Sequence, residues 1–149
     1  MASIHELVPG VPQPIAPGVW RLVAPNASAM TGPGTNTYLL GDPPVAVLDP
    51  GPDDAAHLAA ILALAPQPTQ VFVTHTHRDH SPLAATLAAR TGARLIGRAP
   101  PGDGRQDLSF GPQHQPARDE TFDVGGRCLR AIDTPGHASN HVCWLLEDE

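Results

Sequence analysis

The sequence predicts an α/β (α+β) fold, and three observations carry that expectation. Short apolar, β-branched runs alternate with longer alanine- and leucine-rich stretches, turn residues separate one from the next, and the polar, donor-rich segments sit where the apolar runs end. VWRLVAP (19–25) and TYLLG (37–41) have the composition of strands, and GDPP (41–44) marks a turn. VAVLD (45–49) reads as a buried strand ending in an acid at a Pro-Gly turn, and DDAAHLAAILALA (53–65) as a helix with acids at its start. VFVT (71–74) begins a second copy of that pattern, with Ser81 as the expected N-cap, Pro82 at the first helical position, LAATLAART as the helix and Gly92 as its end. ARLIG (93–97) supplies a third strand, FDVGGRCLRAID (122–133) a hairpin about Gly125-Gly126, and HVCWLLE (141–147) a last strand. Two segments have no periodicity. Residues 1–18, spaced by prolines, read as a loose lead-in, and residues 99–120 as an extended surface loop.

At 149 residues the chain is expected to be one domain or part of one, occupying 19–149 after the lead-in. The formal charge is -6 and the nine basic residues are scattered, which argues against general nucleic-acid binding. A nuclease stays open, because a bound divalent cation supplies positive charge that residue counting misses. Cys128 and Cys143 lie far apart in mostly apolar stretches and are expected to be buried free thiols. The N-terminus lacks both a basic start and an apolar core, and no run approaches transmembrane length, so the expected location is cytoplasmic, with no membrane partner.

Chemistry concentrates in THTHRDH (74–80), directly after the apolar run Val71-Phe72-Val73. Residues two apart on an extended segment project to one side, so His75 and His77 can offer two imidazoles to one cation. A catalytic zinc takes three protein ligands and keeps a position for water, and His137, at the end of the Asp133-Thr134-Pro135-Gly136 turn, is the natural third. Asp79 and His80, on the far side of the same loop, suit a second metal. Two cations about 3.5–4 Å apart can share a hydroxide and polarise the bond it attacks, so hydrolysis is the expected reaction. Asp79 could also orient that nucleophile, and Asp49 could brace a ligating imidazole from behind. His141 could line the site but reads more simply as a capping or strand-edge residue. His5, His57 and His114 have no partners in sequence and are expected at the surface.

THTHRDH, LDPG and DTPGH, in this order, resemble the metallo-β-lactamase superfamily, from about Val19 to the end of the chain. GPGTNTYLLG (32–41), HRDHS (77–81) and TPGHASNH (134–141) are most similar to the branch of β-lactamase-like protein 2, which includes a single-strand-specific endoribonuclease. The resemblance implies an αβ/βα sandwich. It implies that His75, His77 and His137 hold the first metal, and Asp79 with His80 the second. The family's bridging aspartate and last histidine come later than Glu149, so the chain is expected to be the N-terminal αβ half, binding one zinc well and a second poorly or not at all, and to be weakly active or inactive. Exposed sheet surface would then favour self-association.

The expected function is therefore that of a zinc-dependent hydrolase using a metal-bound hydroxide on an ester, thioester, amide or phosphodiester. Its substrate would be a small molecule or single-stranded RNA. An iron-dependent dioxygenase using only the His75, His77, His137 face is an alternative within enzymes. A non-catalytic metal-binding or interaction module is an alternative outside them.

Overall fold

The computed structural model describes residues 7–147. Nine strands and two helices are assigned among them: β1 (Gln13–Ala16), β2 (Val19–Val23), β3 (Asn36–Gly41), β4 (Pro44–Leu48), α1 (Ala55–Leu64), β5 (Gln70–Phe72), α2 (Leu83–Thr91), β6 (Arg94–Ile96), β7 (Thr121–Val124), β8 (Arg127–Asp133) and β9 (Val142–Glu147). The first six strands form one sheet in sequence order, and the last three a second. Strands β1 to β4 pair antiparallel, whereas β4, β5 and β6 run parallel, with α1 and α2 as the crossovers.

Alternation along the central strands explains why three layers form. Leu39, Val47, Val71 and Leu95 meet Leu58 and Ile61 of α1 and Leu83 and Leu87 of α2 in one core. Their chain neighbours Leu40, Ala46, Phe72 and Ile96 face the opposite way, into a second core with Val124 and Leu129 of the three-stranded sheet. A strand buried on both faces reads as a continuous apolar run, which is what Val71-Phe72-Val73 is. Phe72 meets Trp144 edge-on at 4.9 Å and Phe122 at 5.5 Å, so one side chain joins the two sheets. Each fully buried side chain of this size contributes about 1.5–3 kcal/mol.

Several local expectations change. Gln13–Ala16 is not loose but pairs with β2 as an edge strand, where proline is tolerated because one side of the strand is unpaired. Ser81 does not cap α2: the helix begins behind Pro82 with no side-chain cap, and the Ser81 hydroxyl donates to Asp107 Oδ2 at 2.7 Å instead. Residues 99–120 contain no strand or helix but are not simply surface, since Gln106, Asp107 and Phe110 are buried. Side-chain amides hold this segment down: Gln113 accepts from Leu95 N, and Gln115 from Ala99 N. The thiols are free, but Cys143 is exposed and Cys128 only half-buried, because both fall on outward positions of the three-stranded sheet. Among the described residues no helix is long and apolar enough to cross a membrane.

Candidate metal centre

The two sheets deliver the histidines from different sides. His75 and His77 follow β5, and His137 lies in the turn between β8 and β9. Two contacts dock that turn onto the end of β5: Val142 N donates to Thr74 O at 2.7 Å, and Trp144 Nε1 donates to Val73 O at 3.0 Å. Asn140, buried beneath the same turn, gives an amide hydrogen bond to Thr76 Oγ1 at 2.9 Å.

His75, His77 and His137 each place one ring nitrogen within 4.8 Å of the others, the only such group of three donors among the described residues. His77 Nδ1 and His137 Nε2 are 3.1 Å apart. Two nitrogens each about 2.0–2.1 Å from a tetrahedral ion lie about 3.4 Å apart, so the spacing fits. His75 Nε2 is buried with no hydrogen-bond partner. Its tautomer follows from its neighbours. Thr74 Oγ1 donates its only proton to Asp49 Oδ2 at 2.7 Å, so at its 2.8 Å contact with His75 it accepts from Nδ1–H, leaving the Nε2 lone pair for a cation.

Burial pushes the His75 imidazole down to about 2, helped by His80 and His141 alongside. His77 is also lowered, by burial first and then by His137. Both rings are therefore neutral near pH 7, the state a metal ligand needs. His80 behaves oppositely. Burial works against its charge, but the Asp49 carboxylate at 3.0 Å from Nδ1 more than offsets this, and Asp79 assists, so its pKa is raised. Its Nε2 lies 3.3 Å from Asp79 Oδ2. Asp79 and His80 thus come together as a pair of donors at the side of the triad, with no third described donor joining them.

Asp49 is more central than a generic brace. Buried at a left-handed φ of 51°, it accepts from Thr74 N and Thr74 Oγ1, both at 2.7 Å, and contacts His80. One carboxylate therefore orients His80 directly and His75 through Thr74. Behind it lies a further layer. Thr37 Oγ1 donates to Asp49 O at 2.7 Å and is 2.8 Å from His57 Nε2. His57 is not a surface residue: it is 1% exposed, and burial lowers its pKa. His114 is half-buried and paired with Glu120 at 2.7 Å, while His5 lies outside the described residues. His141 belongs to the cluster rather than to a cap alone. Its ring stacks on His75 at 4.9 Å, and its Nδ1 is 2.8 Å from Thr134 Oγ1. Thr74 carried no weight in the sequence, although a hydroxyl directly before the first ligand, with an acid ending the neighbouring strand, was the available signal.

A cleft of about 590 Å³ opens over His77, Asp79, His80 and His137, with Arg78, Arg105 and Met30 on its walls. Met30, 93% exposed, projects from the β2–β3 connection.

Residues 30–149 match the metallo-β-lactamase superfamily. The chain belongs to that superfamily. The metallo-β-lactamase fold is seen directly in a HARLDQ-motif metallo-β-lactamase from Cronobacter sakazakii, similar with a TM-score of 0.72 at 25% identity over 89% of this chain and 58% of that one. Among curated relatives, thioesterase pkgB of Emericella nidulans is 30% identical over 148 residues, covering 96% of this chain and 41% of the relative. A hydroxyacylglutathione hydrolase of Acidiphilium cryptum is 39% identical over 105 residues, covering 69% of this chain and 40% of that enzyme. The chain thus spans less than half the length of these relatives. Their names support hydrolase chemistry at the level of the superfamily.

Proposed function

We propose that this chain carries the zinc site of a hydrolase that cleaves small acyl thioesters. The observation that carries the reading is the convergence of three imidazole nitrogens, with the buried Nε2 of His75 left unpartnered. His75 would bind through Nε2, His77 through Nδ1 and His137 through Nε2. Zinc would supply Lewis acidity, lowering the pKa of water and polarising the bond to be cut. The protein supplies the rest. Asp49 and Thr74 fix the His75 tautomer, Asp79 accepts a hydrogen bond from the attacking water and orients it, and the cleft walls hold the acyl chain. Asp79 and His80 offer two donors to a second ion, which binds more weakly than the first for want of a third. The names of the thioesterase and the hydroxyacylglutathione hydrolase support a thioester in preference to the ester, amide or phosphodiester alternatives.

Elemental analysis of the purified protein, with hydrolysis assays on an acyl thioester, single-stranded RNA and a lactam, tests the reading. One tightly held zinc, thioester cleavage, and loss of both in His75→Ala are expected. Iron with oxygen consumption would favour the dioxygenase alternative, and a cellular role left intact when substitution of His75 and His77 abolishes metal binding would favour the non-catalytic module. The location is proposed to be cytoplasmic. Self-association would involve the sheet edges, where Ile15 of β1 and Leu145 of β9 are about half exposed. A monomer in sedimentation would refute that part.

A further inference from the structure

Two arginines on the cleft wall have no structural task. Four other guanidinium groups are engaged: Arg98 with Asp133, Arg130 with Glu147, Arg127 with the Pro17 carbonyl and Arg21 with Gln13. Arg78 and Arg105 are exposed and make no side-chain hydrogen bond or ion pair with any described residue. Asp103 is near enough to feel the charge of Arg105, but its oxygens already accept from Arg105 N and Gln106 Nε2.

Their placement is specific. His77 bridges Gln106 antiparallel, and Asp107 N donates to Thr76 O at 2.7 Å; these ties hold the 99–120 segment against the histidine loop, and Arg78 and Arg105 line one cleft. Both residues line the cleft that holds His77 and His137, where Asp79 is the one acid on the wall, in a chain whose net charge is -6. The cleft wall thus carries two guanidinium groups and one carboxylate in a chain that is acidic as a whole. Guanidinium groups are suited to bidentate recognition of carboxylate and phosphate oxygens.

We propose that Arg78 and Arg105 form a clamp for an oxyanion of the substrate, a carboxylate or phosphate borne on the thiol portion of the thioester. This rests on the thioester reading above and extends it, because it makes an anionic conjugate the preferred substrate over a neutral one. The carboxylates of a glutathione-type thiol and the phosphate of a phosphopantetheine-type thiol share the chemistry.

Three acetyl thioesters separate these cases: of glutathione, of phosphopantetheine, and of neutral N-acetylcysteamine. The wild-type chain should favour an anionic ester in kcat/KM, and Arg78→Gln with Arg105→Gln should reduce the anionic-to-neutral ratio about ten-fold or more, mainly through KM. Arg78→Lys should keep part of the preference, since charge remains and the fork is lost. Which anionic ester leads tells carboxylate from phosphate. Calorimetric titration with S-methylglutathione and S-methylphosphopantetheine, whose blocked sulfur does not compete for metal, reads the clamp without turnover. Binding weakened about ten-fold or more in the double variant is expected there. Binding that depends on both arginines, with no thioester hydrolysed, would support the clamp and overturn the thioester reading. Hydrolysis with an anionic-to-neutral ratio unchanged within two-fold in the double variant would overturn the clamp and leave that reading standing.

Discussion

Replacing Thr74 by valine removes one hydroxyl almost isosterically, and with it the link between Asp49 and His75. That hydroxyl makes two short hydrogen bonds, to the Asp49 carboxylate at 2.7 Å and with His75 Nδ1 at 2.8 Å. A hydrogen bond to a charged group contributes about 1.5–3 kcal/mol and a neutral one about 0.5–1.5 kcal/mol. Asp49 keeps its bond from Thr74 N and its contact with His80, so the net loss of metal-free stability should lie near the lower end, about 2 kcal/mol. The effect on metal is separate. With no acceptor for its Nδ1 proton, His75 is free to present Nδ1 or to rotate, and losses of this kind lower metal affinity about 10–100-fold. Competition for zinc against a chromophoric chelator, beside urea unfolding of the metal-free protein, measures both. Thr74→Ser, which keeps the hydroxyl, should restore most of the affinity. An affinity for Thr74→Val within two-fold of wild type would show that Thr74 does not set the tautomer, and the derivation of Nε2 as the ligating atom would fail.

Gly97→Ala should destabilise the fold by about 1–3 kcal/mol, because the added methyl would press on the Val73 side chain and on the Phe110 ring, whose Cζ would lie 3.1 Å away. An unchanged thermal midpoint would mean that Phe110 yields without cost. Acid should also weaken the metal-free protein. His57 is held neutral by burial, so its folded pKa lies below the unfolded value of about 6.5. As pH falls the unfolded chain takes up the proton first, and stability present above about pH 6.5 is lost on the way down to the lowered folded pKa. Urea midpoints between pH 7 and pH 5 should fall more steeply for wild type than for His57→Leu, and equal slopes would count against this assignment.

Much of the architecture was legible because its signals are local. Pro-Gly after Leu48-Asp49, Gly92 at the end of α2 and Gly125-Gly126 in the β7–β8 hairpin punctuate the chain where the backbone turns. Gly92 and both hairpin glycines adopt the positive φ that such turns require. The triad was legible for the same reason, since His75 and His77 share an extended segment and His137 follows a forced turn. What escaped depends on distant partners. His57 looks like any polar residue in the first turn of a helix, and only the packing of α1 under Thr37 and Gly51 buries it. Ser81 has the local chemistry of a cap, but Asp107, 26 positions away in a segment without periodicity, claims its hydroxyl. The 99–120 segment is ordered by individual amide and carboxylate contacts, which leave no period in the sequence. His141 was readable as a turn residue and also as a neighbour of the site, and only the docking of β9 against Thr74 decides that it stacks on His75.

The imidazoles that converge on the cleft come from opposite layers, His75 and His77 from the six-stranded sheet and His137 from the β8–β9 turn of the three-stranded one. A shared cation would therefore act as a cross-link between the two sheets, in addition to their common core, closing a loop of some sixty residues between positions 77 and 137. Its affinity enters the folding equilibrium directly. Chelation would then do more than silence chemistry: it would loosen the seam between the sheets, so that the same event that empties the site also exposes the Phe72, Phe122 and Trp144 cluster beneath it.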